Sequence, residues 1–211
     1  MATKLGTYNK SLIALGDGVP LASLSENRAA RRFLDQVWDN GVVNYCLEQG
    51  LWGFATRSKE LTASTTINPA FGFQYAFEMP DDFCGLNSLW TDARFQSALR
   101  IYDFEAGIIY CDFGTIYIKY VSNAPTYGGN IAKWPEVFSD YVGVRMAFEA
   151  QPLITNSLNV DANLDKAQQS AKLTALNWDK RNKAREDLPI GNWTKARLGY
   201  DRIWGAWGGQ S

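Results

Sequence analysis

The chain has 211 residues, 46% of them hydrophobic and 14% aromatic, with a net charge of −1; that suits one folded domain with or without an inserted subdomain, and excludes a disordered or nucleic-acid-coating chain. No histidine is present, which excludes Ser-His-Asp and Cys-His catalysis and any His-ligated metal. Neither G-x-x-x-x-G-K-[ST] nor G-x-G-x-x-G occurs, and Cys46, Cys84 and Cys111 are too few and too far apart for a disulfide framework or a zinc motif; they read as free thiols of a reducing cytoplasm.

The first apolar patch, Leu12 to Leu15, is far too short for a signal peptide or a membrane span. Tyr8, Leu12 and Leu15 share one face of a short helix over 7–15, and Gly16 is placed to cap it in the left-handed region. A long helix is predicted over 26–49, with Ser25 as N-cap and the apolar row Ala30, Phe33, Leu34, Val37, Trp38, Val42, Tyr45 and Cys46. Gly41 falls inside it, where close packing against a neighbour is the expected reason.

From Leu51 the apolar period changes from 3.6 to 2. Trp52 to Leu61 reads as a strand, and so does Phe73 to Met79, where Phe73, Tyr75, Phe77 and Met79 alternate with polar or small residues. A turn at Met79-Pro80-Asp81-Asp82 and strands near 84–90, 98–104, 107–112 and 115–121 complete a small antiparallel sandwich or barrel. Helix resumes at Pro135 and runs to about Ala150, where Pro152 is expected to stop it. A last helix, capped at Ser157 or Asn159, runs to about Glu186 with the row Val160, Leu164, Ala167, Ala171, Ala175 and Trp178.

The fold expected is therefore α+β: a helical bundle from 1–50 and 131–187, an inserted antiparallel β domain over 51–130, and an extended C-terminal arm over 188–211. The arm holds Trp193, Trp204 and Trp207 among glycines, without apolar periodicity. Three tryptophans are costly to leave in water, so the arm is expected to dock onto another chain, the alternative being that it folds over its own domain. Residues 166–202 carry nine basic and four acidic residues, net +5, leaving the remainder at −6. A basic end on an acidic body suits an acidic partner, head-to-tail self-association, or simply a solvated helix face. Nucleic acid is the weakest choice, because acids are mixed among the bases. The carboxylate pairs Asp81-Asp82 and Glu186-Asp187 read as solvated turn and helix-end residues; no catalytic residue, cofactor or metal ligand is assigned.

Several segments together carry a resemblance: Leu12-Ile13-Ala14-Leu15-Gly16, Ala29-Ala30-Arg31-Arg32-Phe33-Leu34-Asp35-Gln36-Val37-Trp38, Trp52-Gly53-Phe54-Ala55-Thr56-Arg57, Phe73 to Asp82, and Ile116-Tyr117-Ile118-Lys119-Tyr120. In this order, over roughly residues 8–187, the chain resembles the tail tubular protein A class of head-to-tail adaptors of tailed bacteriophages. The resemblance implies a non-enzymatic virion protein of the tail or neck, assembled in the host cytoplasm. It implies a homo-oligomeric, dodecameric ring beneath the portal protein, extending the DNA channel and carrying the next tail tube or nozzle protein. DNA would pass the lumen without specific binding, and no membrane is involved. Family arms run up onto the portal, so Trp193, Arg197, Tyr200, Arg202, Trp204 and Trp207 are the candidate portal contacts. The competing expectations are a β-rich module that binds glycan or protein, and an enzyme using one of the acidic pairs.

Overall fold

The computed structural model describes residues 1–17, 19–69, 71–155 and 162–183. It is mixed α+β: five helices and two small antiparallel three-stranded sheets. Helix α1 spans Lys4–Ala14, three residues earlier than the spacing predicts, because the Thr3 hydroxyl accepts from Gly6 N at 3.0 Å. It ends in a Schellman turn: Gly16 has φ +77°, Asp17 N donates to Leu12 O at 2.9 Å and Gly16 N to Ile13 O at 3.0 Å.

The single helix expected over 26–49 is two helices, α2 (Ala29–Asp39) and α3 (Val42–Glu48). Gly41 stands between them at φ +93°, and a Cβ there would meet nothing within 4 Å. The glycine thus serves a left-handed backbone, and among the described residues no other helix of the chain packs closely on it. Ser25 does not cap α2; its hydroxyl bonds Ser23 at 2.9 Å, while the Glu26 carboxylate accepts from Ala22 N at 2.9 Å, so 22–28 is held as a separate turn. Helix α4 (Glu136–Thr155) continues past Pro152. A proline in the last turn deprives only the Phe148 carbonyl of a partner, too small a loss to end the helix at Ala150.

Helix α5 (Ala162–Asn182) packs along α4. Leu164 and Ala175 are buried as expected, but Trp178 is 40% exposed and Ala167 is exposed. The inner row ends on Asp179, whose carboxylate accepts from Gly53 N at 2.6 Å and pairs with Lys183 at 3.0 Å. Around Tyr8, Leu12, Leu34, Val37, Leu47, Trp52, Phe138, Tyr141 and Met146 the helices close one core. Cys46 lies in it, and burial pushes its thiol up to about 12. All three cysteines are free.

The β segment opens with a 3-10 turn, Gly53–Ala55, where strand was expected; β1 follows at Thr56–Thr62. The remaining strands are β2 (Tyr75–Glu78), β3 (Phe83–Trp90), β4 (Asp103–Glu105), β5 (Ile108–Cys111) and β6 (Thr115–Ser122). One sheet has the order β1-β6-β3, the other β2-β5-β4. The strand expected over 98–104 is only a bridge from Ala98 to Trp90 followed by β4. Ile116, Ile118 and Tyr120 are fully buried, as their alternation predicts. The alternation expected over 73–79 is not a half-buried strand, since Ala76 and Phe77 are both buried; the loop before β2 covers Ala76, whose carbonyl accepts from Ser64 N at 2.7 Å. Leu61, Phe77, Leu89, Ile109, Cys111, Ile116, Ile118 and Tyr120 form a second core between the sheets. Helix α3 rests on β3 and β6, so the first sheet joins the helices to the β unit.

Gly128 shows how tight that joint is. A Cβ on it would stand 2.5 Å from Ser122 O and 3.0 Å from both Ala55 Cβ and Leu47 Cδ1. Gly128→Ala is therefore expected to destabilise by about 1–3 kcal/mol in urea unfolding. Gly85→Ala, with nothing within 4 Å of the new methyl, is expected to change stability by less than about 0.5 kcal/mol.

Candidate interaction surface

Register in the second sheet separates an outer face from the face turned to the second core. Pairing of Ala76 and Asp103 with Tyr110, and of Glu78 and Glu105 with Ile108, puts these six residues on one side. Phe77 and Ile109 fall on the other, in the second core, and Phe104 shares their side but stays 42% exposed. Strands β4 and β5 are joined by a two-residue hairpin in which Ala106 and Gly107 both have positive φ, +49° and +80°. This is the turn type that matches the strand twist, and it fixes Glu105 opposite Ile108. The outer face thus carries three carboxylates, Glu78, Asp103 and Glu105, and no cation.

Above it runs the loop before β2, turned at Gly72 with φ +86°. Asn68, Pro69, Phe71 and Phe73 from this loop, with Asp103, Glu105 and Tyr110 from the sheet, line an open cleft of about 270 Å³. Phe71 is 90% exposed, and Ile101, two residues before Asp103, is 75% exposed. Among the described residues neither Asp103 nor Glu105 forms an ion pair. Aromatic walls and unpaired carboxylates suit a cationic, partly apolar partner.

The opposite charge lies at the end of α5. Lys180 and Arg181 are exposed there and, among the described residues, unpaired, whereas Lys183 is committed to Asp179 and to the Leu51 carbonyl. A second cleft between this end and the first sheet is lined by Leu51, Gly53, Thr56, Asn87, Ser88, Lys119 and Lys183. Lys119 stands over the Phe95 ring at 4.1 Å, so it too is partnered.

Of the acidic pairs, Asp81 is exposed in its turn as expected, but Asp82 is not a solvated turn residue. Its carboxylate accepts from Arg57 Nη1 at 2.9 Å, from Tyr120 Oη at 3.0 Å and from the Ser122 hydroxyl. It ties the turn before β3 to β1 and β6, which is a structural task. Burial works to raise its pKa, yet the hydrogen bonds from Ser122, Arg57 and Tyr120 prevail and hold the carboxyl below the ordinary value of 3.8.

Trp193, Arg197, Tyr200, Arg202, Trp204 and Trp207, and the pair Glu186-Asp187, lie outside the described residues. The structure brings forward instead Phe71, Ile101, Asp103 and Glu105, which core-facing assignments of the aromatics passed over. The signal for them is a Phe set between Pro69 and Gly72, where no strand can form. Among the described residues no helix is long and apolar enough to cross a membrane. The chain matches no protein-family model and no curated protein.

Because the Asp82 carboxyl titrates below 3.8, its stabilisation is complete above that pH and disappears as pH falls through the folded value. Asp82→Ala is expected to cost about 2–3 kcal/mol at pH 7. Unfolding followed from pH 6 to pH 2 should show the wild-type stability dropping steeply below pH 4, the variant's less so, and the two curves converging.

Proposed function

We propose that this chain is a structural subunit of a bacteriophage virion, one member of a ring that joins the portal to the tail and extends the DNA channel. The observation that carries the reading is architectural. A β unit with an exposed, unpaired outer face interrupts a helical bundle, in the order of elements that the family resemblance implies. A ring subunit needs two different surfaces that close by rotation, and the β unit and the outer side of α5 are two such surfaces. The residues beyond α5 supply the third contact, to the portal, through Trp193, Trp204 and Trp207. Each indole removes 150–250 Å² or so from water on docking, worth several kcal/mol before ordering costs. No catalytic role is assigned. The dodecameric state, the downstream tube protein, and a lumen whose acidic character keeps DNA from sticking belong to the same proposal.

A second reading, a β-rich glycan- or protein-binding module of a phage tail, has the aromatic cleft in its favour. Electron microscopy of the full chain mixed with the portal of its phage separates the two. Rings seated on the portal are expected; a chain that stays monomeric beside the portal and binds a cell-surface glycan overturns the adaptor reading. Trp193→Ala with Trp204→Ala and Trp207→Ala is expected to weaken portal binding by at least about 100-fold while leaving the melting temperature unchanged. Unaltered binding by that variant removes the arm from the proposal.

A further inference from the structure

We infer that the acidic cleft on the second sheet of one copy receives the outer face of the last two turns of α5 from a second copy, so that copies join head to tail. This rests on the ring reading above and names the surfaces that close it.

The two surfaces match in charge and in apolar content. Glu78, Asp103 and Glu105 stand on a sheet face without a cation. Lys180 and Arg181 end α5, and residues Leu173, Asn177, Lys180 and Arg181 recur at the spacing of one helix face. Leu173 on that face is 60% exposed, and Trp178 at its margin is 40% exposed. Among the described residues these apolar side chains of α5 are left open to water; the inner face of α5 is already occupied, by Ala175 on the helical core and by Asp179 on Gly53. On the other side, Phe71 offers apolar surface in the cleft beside the carboxylates, and Ile101, two residues before Asp103, is exposed as well. An exposed indole or leucine against Phe71, with Arg181 or Lys180 reaching Asp103 and Glu105, removes both sets from water together. Arg is suited to the cleft because its guanidinium can stack on an aromatic ring while bonding a carboxylate.

The surfaces lie on different elements, so the contact is heterologous: each copy offers a cleft to one neighbour and a helix to the other. A second copy is the occupant favoured over a foreign protein because the chain itself supplies the complementary charge, on a helix face whose Lys180 and Arg181 are unpaired among the described residues.

The test uses the full chain and two charge-reversed forms, Asp103→Lys/Glu105→Lys and Lys180→Glu/Arg181→Glu, with circular dichroism confirming that each folds. Sedimentation is followed at low salt and on the portal. Wild type is expected to self-associate, less so as added salt shortens the Debye length. Each reversed form alone is expected to associate about tenfold more weakly or not at all. An equimolar mixture of the two is expected to assemble, since every cleft then meets a helix of opposite sign. Assembly of either reversed form as well as wild type, alone or on the portal, overturns the pairing and leaves the ring reading standing. Failure of the mixture to recover also overturns the pairing. Absence of association by wild type both alone and on the portal overturns the pairing and the ring together. A soluble glycan that occupies the cleft of a chain that stays monomeric on the portal overturns the pairing in favour of a recognition module.

Discussion

The indole of Trp52 is 1% exposed at the point where the chain leaves the helices and enters the strands, with its Nε1–H donating to the Cys46 carbonyl at 3.0 Å. Phe138 meets it edge-on at 4.9 Å, and Tyr141 and Phe54 lie near 6 Å. Burying a ring of this size is worth about 4–6 kcal/mol as an upper figure. Its position also decides geometry. Gly50 lets the chain pass close to this ring: a Cβ there would stand 3.0 Å from the indole and 2.7 Å from the Leu176 methyl, and both would have to shift. Gly53, just beyond, is held by the Asp179 carboxylate. The Trp52 side chain thus ties α3 to α4, while its carbonyl, which accepts from the Thr56 hydroxyl at 2.8 Å, and the neighbouring Gly53 N–H bind the start of β1 and α5 to the same junction.

Asp82 repeats the principle in polar form on the far side of the same joint. A half-buried carboxylate is stable there because three donors reach it from β1 and β6. The Arg57 guanidinium that serves it also stands 5.4 Å over the Tyr127 ring, adding the link that leads back to α4. Apolar packing at Trp52 and charge pairing at Asp82 therefore lock the first sheet to the helices. The second sheet meets the first in the core that holds Phe77 and Ile118, and on its outer face Glu78, Asp103 and Glu105 stay exposed beside the loop that covers Ala76. One sheet thus anchors on the helices, and the other carries the acidic cleft.

Much of this was legible in the residues. Periodicity located every helix, the change of period at Leu51, and the buried row Ile116, Ile118 and Tyr120, because these elements bury one consistent face. It missed the break at Gly41, since α2 and α3 keep apolar residues in phase across the gap and only the positive φ separates them. It placed Trp178 inward, since a tryptophan scores as core, whereas the inward position four residues after Ala175 belongs to an aspartate whose partner, a backbone N–H, has no sequence signature. The cleft was illegible for a related reason. Phe71 and Asp103 are 32 positions apart, and only the pairing of β4 with β5 and the turn at Gly72 bring them together.

An assembly built on such a cleft has no need of a strong single contact. A basic helix face against three carboxylates gains little in water, since exposed ion pairs are screened and lose side-chain entropy. In the proposed contact, covering Phe71, Leu173 and Trp178 at the same time would exclude that water and supply the apolar share. Closure into a ring then makes the last contact intramolecular, so its effective concentration and not its intrinsic affinity decides whether the ring holds. A salt-screened heterologous contact of this kind would associate copies at low salt yet leave most of them apart at physiological ionic strength, so that a template with the right symmetry would determine where, and in what number, they close.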